Sequence, residues 1–336
     1  MKVFRIGGTG LLGSQAADQL IKRGHEVKTL ALPPMPQGAN LNPKREIEFG
    51  NYLDRSDEEL EEKRKGCEGF VFAAGVDERV EGPAPIYNLY KKYNIDPIYR
   101  LLGIGKKVGI KHVSICGSYF SYFAKIHPEW KLTEDHPYIR SRIDQENAAR
   151  SFAKDRDVCV LELPYIFGTQ PGRKPVWVFR AERLLKAKKS VRYTAGGTSM
   201  VTVRQVGEAL AGGLLYNKGG NCYPIGYWNR TWKELLPLFA EGLGKKDRKV
   251  KTIPSFLYVI GGKQQRKQFK KQGIDSGLNR VKFKTLQCSN LFIDKSLGSD
   301  KLHVQDDDIK KAIFDSALLS KDVAEKKVNV INRKGE

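Results

Sequence analysis

Three glycines recur at a spacing of three, Gly7, Gly10 and Gly13, directly after residues 2–6, where apolar and basic residues alternate, and ahead of a helical pattern carried by Leu12, Ala16, Ala17 and Leu20. Each missing side chain meets a separate need: a tight turn, approach of backbone to a pyrophosphate, and close contact of helix with strand. The start of the helix then aims its unpaired amides at the phosphates. With Thr9, Leu11 and Leu12 filling the loop, residues 7–13 are expected to hold a dinucleotide; the plainer alternative is a glycine turn that binds nothing. Farther along, Tyr138 and Arg142 stand four residues apart, a spacing that puts both side chains on one helical face.

The alternating segment at 2–6 and the segments at 27–32, 47–49, 70–74, 112–116 and 158–163 read as strands, and helices are predicted over 94–106 and 138–154. Alternation of this kind predicts an α/β fold, a Rossmann-type doubly wound parallel sheet, because each crossover helix must return the chain to the same sheet. After Gly168 a loop rich in Pro, Gly, Arg and Lys leads to a helix expected over 178–188, which opens a smaller C-terminal α/β domain. The expected division is 1–168 plus about 200–225 for the dinucleotide and 169–199 plus about 226–336 for the substrate.

In its order of segments the chain resembles the extended or atypical short-chain dehydrogenase/reductase superfamily, the group labelled NAD-dependent epimerase/dehydratase. The resemblance spans nearly the whole chain. It rests on Gly-Gly-Thr-Gly-Leu-Leu-Gly at 7–13, Gly50-Asn51-Tyr52-Leu53-Asp54, Phe72-Ala73-Ala74-Gly75, Asn94, Ser118, Tyr138 and Leu163-Pro164-Tyr165-Ile166-Phe167-Gly168. The resemblance implies NAD or NADP as cofactor, with Asn51 and Tyr52 near the adenine, Ala73, Ala74 and Gly75 along ribose and phosphates, and Pro164, Tyr165 and Ile166 beside the nicotinamide. Any one of these segments alone is an ordinary strand end or turn; their order favours the cofactor site. An acid that would select NAD is missing at the end of the second strand, where Ala31-Leu32 stands, and only Lys28 and Lys44-Arg45 lie in the vicinity, so NAD and NADP both stay open.

The superfamily's chemistry uses a tyrosine that exchanges a proton with a substrate hydroxyl, a serine that holds the substrate oxygen, and a lysine four residues after the tyrosine. Ser118 and Tyr138 occupy the first two places and Arg142 the third, so the motif reads Tyr-x-x-x-Arg. Arginine supplies charge that can depress a phenol's pKa, yet it stays protonated and cannot relay a proton. Two readings follow: a working centre of Tyr138, Ser118 and Arg142, or a packed tyrosine and a salt-bridging arginine in a protein without turnover. The resemblance has Asn94 bonding backbone or water beside this centre; otherwise it starts a helix. Tyr119, Phe120, Tyr122 and Phe123 either line a substrate pocket or belong to the core. Arg173, Lys174 and Trp177 lie in the loop that meets substrate in the superfamily, which implies an anionic or nucleotide-linked substrate.

Lysine and arginine outnumber the acids 59 to 38, a net charge of +21 at pH 7 that attracts anions. The excess gathers at 245–251 and 263–271, stretches that match no nucleic-acid module and read as a solvated basic face. Five scattered cysteines and five scattered histidines argue for reduced thiols and no metal. No run approaches the ~20 apolar residues of a membrane span, and the start of the chain lacks a signal peptide, so a cytoplasmic location is expected. Two functions fit. One is an NAD(P)-dependent oxidoreductase or epimerase/dehydratase acting on a hydroxyl or carbonyl of a small, sugar-like or anionic substrate. The other is a non-catalytic NAD(P)-binding redox sensor, or an RNA- or protein-binding member of the same superfamily; a homo-oligomer is compatible with either.

Overall fold

Strand Lys2–Ile6 buries Val3, Phe4, Arg5 and Ile6 alike, as a strand covered on both faces must. It lies in the middle of a seven-stranded sheet in the computed structural model, which describes residues 1–39, 41–187, 190–246 and 248–332. The strand order is Gly220–Pro224, Asp157–Glu162, His112–Cys116, Gly69–Phe72, Lys2–Ile6, Glu26–Ala31 and Glu46–Phe49. All six pairings are parallel. The chain proceeds outward from Lys2–Ile6 in one direction, then restarts at Gly69–Phe72 and proceeds in the other, so a switch point opens at the carboxyl ends of these two strands.

Each face of the sheet carries its own core. On one side Ile98, Leu101 and Leu102 pack with Ala148 and Ala149. On the other, Ala16, Ala17 and Leu20 meet Val206, Leu210 and Leu214, and helices Leu11–Lys22 and Val203–Leu215 approach so closely that a Cβ on Gly207 would lie 2.7 Å from the Gln15 backbone. Beyond the sheet, Gly197–Thr202 pairs with Tyr165–Phe167, Trp228–Thr231 and Asn290–Leu291. A third core unites Trp232, Leu235 and Phe239 with Ala181, Leu184, Ile313 and Ala317.

Two departures from the predicted elements bear on the site. The strand expected over 70–74 stops at Phe72, which leaves Ala73 to Gly75 outside the ladder at the sheet's carboxyl edge. The helix expected from residue 94 is α-helical only over Asp96–Lys107 and is preceded by a π-turn, Lys91–Ile95, that holds Asn94. The helix expected over 178–188 is Val178–Lys186, with Lys188 outside the described residues. The basic helix Ser255–Lys271 buries only Gly262 and displays its lysines to solvent. Among the described residues no helix is long and apolar enough to cross a membrane, and no group of His, Cys, Asp and Glu could hold a metal.

Lys125, on helix Tyr119–Ile126, bridges Glu146 at 2.9 Å and Glu162 at 2.8 Å, tying that helix to Pro137–Arg150 and to strand Asp157–Glu162. Burial, then the charge of Glu146, pushes Glu162 from 4.5 up to about 8 against the pull of Lys125. Between those two pH values the folded chain holds a proton that the unfolded chain has released, so stability falls as pH rises through the window. Glu162→Gln is therefore expected to melt near the parent at about pH 5 and progressively above it toward about pH 8.5. A difference in melting temperature that does not change with pH would contradict the assignment.

Candidate functional site

The glycine loop is built by exclusion of side chains. Gly7 has φ +89° and a Cβ there would lie 2.4 Å from the Ala73 carbonyl oxygen, while a Cβ on Gly13 would lie 2.2 Å from that of Gly7. Gly10 caps helix Leu11–Lys22 without any side-chain acceptor, and the first turn contains no acid. The amides that open this helix therefore have no partner within the helix and face an anion site. Beneath the loop Arg5 is wholly buried, donating to the carbonyl of Gly13, to that of Gly8 at 3.3 Å and to Thr29 Oγ1 at 2.8 Å, with Nε left unpartnered. Burial, followed by the nearby charge of Arg45, lowers Arg5 to about 9. A loop closed to a Cβ at Gly7, Gly8 and Gly13, with a cation below it, fits a dinucleotide's phosphates.

Ala73 and Ala74 border the loop, and Gly75 has φ +121° with space only for hydrogen, since a Cβ would stand 2.5 Å from Asn94 Oδ1. Asn94 is fully buried and grips Val76 at both ends, accepting from its N–H at 2.9 Å and donating to its carbonyl at 3.0 Å. Its backbone carbonyl accepts from Gln145 at 2.9 Å. Asn94 thus fixes the turn that follows strand Gly69–Phe72.

Ser118 caps helix Tyr119–Ile126, and Tyr138 and Arg142 share one face of helix Pro137–Arg150. Ser118 and Arg142 are the groups that favour ionisation of the Tyr138 phenol. Burial raises the Tyr138 pKa; the guanidinium of Arg142 and the Ser118 hydroxyl pull it back. Arg142 stacks over the Tyr138 ring at 5.1 Å and donates to the carbonyl of Cys116 at 3.3 Å, to Gln145 Oε1 at 2.9 Å and to the carbonyl of Val76 at 3.1 Å. Burial is the largest influence on Arg142 and opposes its charge, but Tyr138, Cys116 and Asp77 together hold it above its ordinary pKa. The structure therefore brings Asn94, Gln145, Arg142 and the Tyr138 ring into one network around Val76, with Ser118 capping the helix that follows strand His112–Cys116.

Other expected residues have different surroundings. Tyr52 turns its ring into the core, edge-on to Phe72 at 6.0 Å, and the Asn51 amide donates to Asp54 at 2.9 Å. Tyr165 stands among Tyr119, Trp177 and Trp232, Ile166 accepts from the Trp177 indole at 3.0 Å, and Pro164 is buried. Tyr119, Phe120 and Phe123 are core residues, with Tyr122 half-buried against Phe123. Arg173 was expected to face substrate, but its guanidinium donates to Thr9 of the glycine loop at 2.9 Å. Trp177 stacks on Phe167 at 4.7 Å, and Lys174 is tied through its backbone to Ile331.

Several neighbours had no local signal in the sequence. Gly277, from the far end of the chain, accepts from the Tyr138 amide at 2.9 Å, and a Cβ there would lie 2.0 Å from the Tyr90 hydroxyl. His136 begins the Tyr138 helix; burial lowers it to about 4, and its neutral Nδ1 accepts from the Asn279 amide at 3.0 Å. Glu78, in the turn after Gly75, is raised by burial and then by Asp77, and interacts with Tyr138 and Arg142. Charge immediately after Ala73-Ala74-Gly75 was the one clue to this last group.

The model of the NAD-dependent epimerase/dehydratase family matches residues 4–201. No curated protein matches the chain in sequence. Among solved structures, gox2253 is similar at 18% identity with a TM-score of 0.72, over 98% of this chain and 99% of that one. UDP-glucuronic acid 4-epimerase from Bacillus cereus, solved with UDP-glucuronic acid and NAD, is similar at 13% identity and a TM-score of 0.67, over 96% and 100% of the two chains. UDP-glucose 4-epimerase from Bifidobacterium longum, solved with NAD+ and UDP, is similar at 14% and 0.65, over 97% and 99%. At such identities the likeness is one of fold.

The cradle yields a direct expectation. Gly13→Ala forces the loop away from Gly7 and should weaken binding of a nicotinamide dinucleotide at least about tenfold, or about 1.4 kcal/mol. Gly103→Ala, where a Cβ meets nothing within 4 Å, should leave affinity unchanged. Calorimetric titration of both variants checks this, and equal affinities would contradict it.

Proposed function

Because the chain belongs to the NAD-dependent epimerase/dehydratase family, we propose that it moves hydride between a bound NAD or NADP and a hydroxyl or carbonyl carbon of a small sugar-like or anionic substrate. The observation that carries this reading is that Arg142, stacked over the Tyr138 ring at 5.1 Å, bonds the Val76 carbonyl in the turn whose Ala73 packs on Gly7 of the glycine loop. The family's nicotinamide, when bound, supplies the hydride acceptor or donor. Ser118 orients the substrate oxygen, and Tyr138 gives a proton to that oxygen as the carbon is reduced or takes one as it is oxidised. Arg142 contributes charge beside the phenol and holds the Val76 and Cys116 carbonyls in place; its protonated state keeps it out of the proton path. Glycine-loop amides, Ala73 to Gly75 and the segment at Tyr165 and Ile166 form the surface along which the cofactor lies. Sugar nucleotides are the first substrates to test, since the similar epimerases were solved with UDP or UDP-glucuronic acid.

A dinucleotide-binding sensor without turnover is the second reading. What favours it is that the guanidinium of Arg142 already serves three protein acceptors.

The buried phenol rests in its protonated form, because its pKa is raised. Reduction of a carbonyl should accordingly proceed at neutral pH, whereas oxidation of a hydroxyl should accelerate as pH climbs above neutrality. Tyr138→Phe should lower turnover by about 10²–10⁴-fold and leave dinucleotide affinity intact. Steady-state assays with a panel of sugar nucleotides, paired with calorimetry, test both expectations; full activity in Tyr138→Phe would remove the proton-transfer role, and binding without turnover of any substrate class would favour the sensor.

A further inference from the structure

We propose that Arg173 is a further cofactor-binding residue, a clamp whose guanidinium closes on the pyrophosphate from the side opposite the glycine-loop amides. The proposal rests on the reading that the loop binds a nicotinamide dinucleotide, and it adds a residue from a different part of the chain. Arg173 Nη2 donates to Thr9 Oγ1 at 2.9 Å, in the middle of the loop between Gly8 and Gly10. Its Nε is buried without a partner, and no carboxylate pairs with it among the described residues. Burial alone lowers its pKa, with no charged neighbour contributing. A half-buried guanidinium that lacks a counter-ion is costly unless an anion supplies one. Its nearest loop offers helix amides rather than acids.

The surrounding backbone shows that this position is set by the fold. Gln170 accepts from Ser14 of the first helix at 2.9 Å. Gly172, at φ +74°, packs so tightly on Gln37 that a Cβ would lie 2.4 Å from its carbonyl oxygen. On the outer side Ile331 accepts from the Lys174 amide at 3.1 Å and donates to the Gly172 carbonyl at 2.8 Å, so the C-terminal segment straps the Arg173 loop down. Three separate parts of the chain therefore hold the loop that carries Arg173, and Thr9 receives its guanidinium. The planar fork of arginine can engage two phosphate oxygens at once, which a lysine cannot reproduce.

Calorimetry with NAD, ADP-ribose, NADP and adenosine on the parent, Arg173→Gln and Arg173→Lys tests the clamp, with the unliganded melting temperature of each variant as a control for folding. Arg173→Gln should weaken NAD and ADP-ribose about 10–100-fold, as for loss of a charged hydrogen-bonding partner. Arg173→Lys should recover part of that loss, and adenosine, which carries no phosphate, should bind all three proteins equally. NAD affinity that is the same in parent and Arg173→Gln would overturn the clamp alone. A loss confined to NADP would overturn the pyrophosphate assignment and place the guanidinium at the 2′-phosphate. A parent that binds no dinucleotide would overturn the functional reading and the clamp with it.

Discussion

Gly13 lies against the carbonyl of Gly7 at a distance that admits a hydrogen atom and nothing larger, and Gly7 lies against the Ala73 carbonyl in the same way. These backbone contacts set how the first helix leaves the first strand, and so where its opening amides point. Because Ala73 belongs to the turn after strand Gly69–Phe72, the same contacts lock the loop to the neighbouring strand end. The shape of the loop is therefore a property of close-packed backbone at the switch point of the sheet.

Around that constraint the reacting residues are held by buried polar bonds. Asn94 clamps Val76, Gln145 ties Asn94 to the Tyr138 helix, and Arg142 returns from that helix to Val76 and Cys116. Lys125 with Glu146 and Glu162 fastens the Ser118 helix to the same platform. Breaking one partner of such a network leaves another buried group unsatisfied, which costs more than the bond contributes when intact. Arg142 and Gln145 thus tie the Tyr138 helix to the turn at Val76, whose preceding residues pack on the glycine loop.

The Rossmann sheet and the glycine loop were legible in the sequence because they depend on local periodicity and short spacing, whereas Ser118, Tyr138 and Arg142 were singled out by the family resemblance. Other features depend on contacts between distant segments. Arg5 falls in a strand where apolar and basic residues alternate, a pattern that suggests a solvent face, yet it is buried under the loop because the glycine carbonyls and Thr29 accept its protons. Strand Gly220–Pro224, with glycine, asparagine and proline among its residues, has little strand character of its own and forms as an edge partner of Asp157–Glu162. Gly277 covers Tyr138 through packing that no local pattern announces, and Arg173 faces the cradle only because Gln37, Ser14 and Ile331 hold its loop there. Tyr52 matches its motif by type while its ring serves the core.

The most direct test is a crystal structure of the chain grown with NAD. The account predicts the pyrophosphate on the amides of Leu11 and Leu12 and the nicotinamide directed toward Tyr138. A dinucleotide seated elsewhere, or a cleft that stays closed to it at saturating concentration, would contradict it.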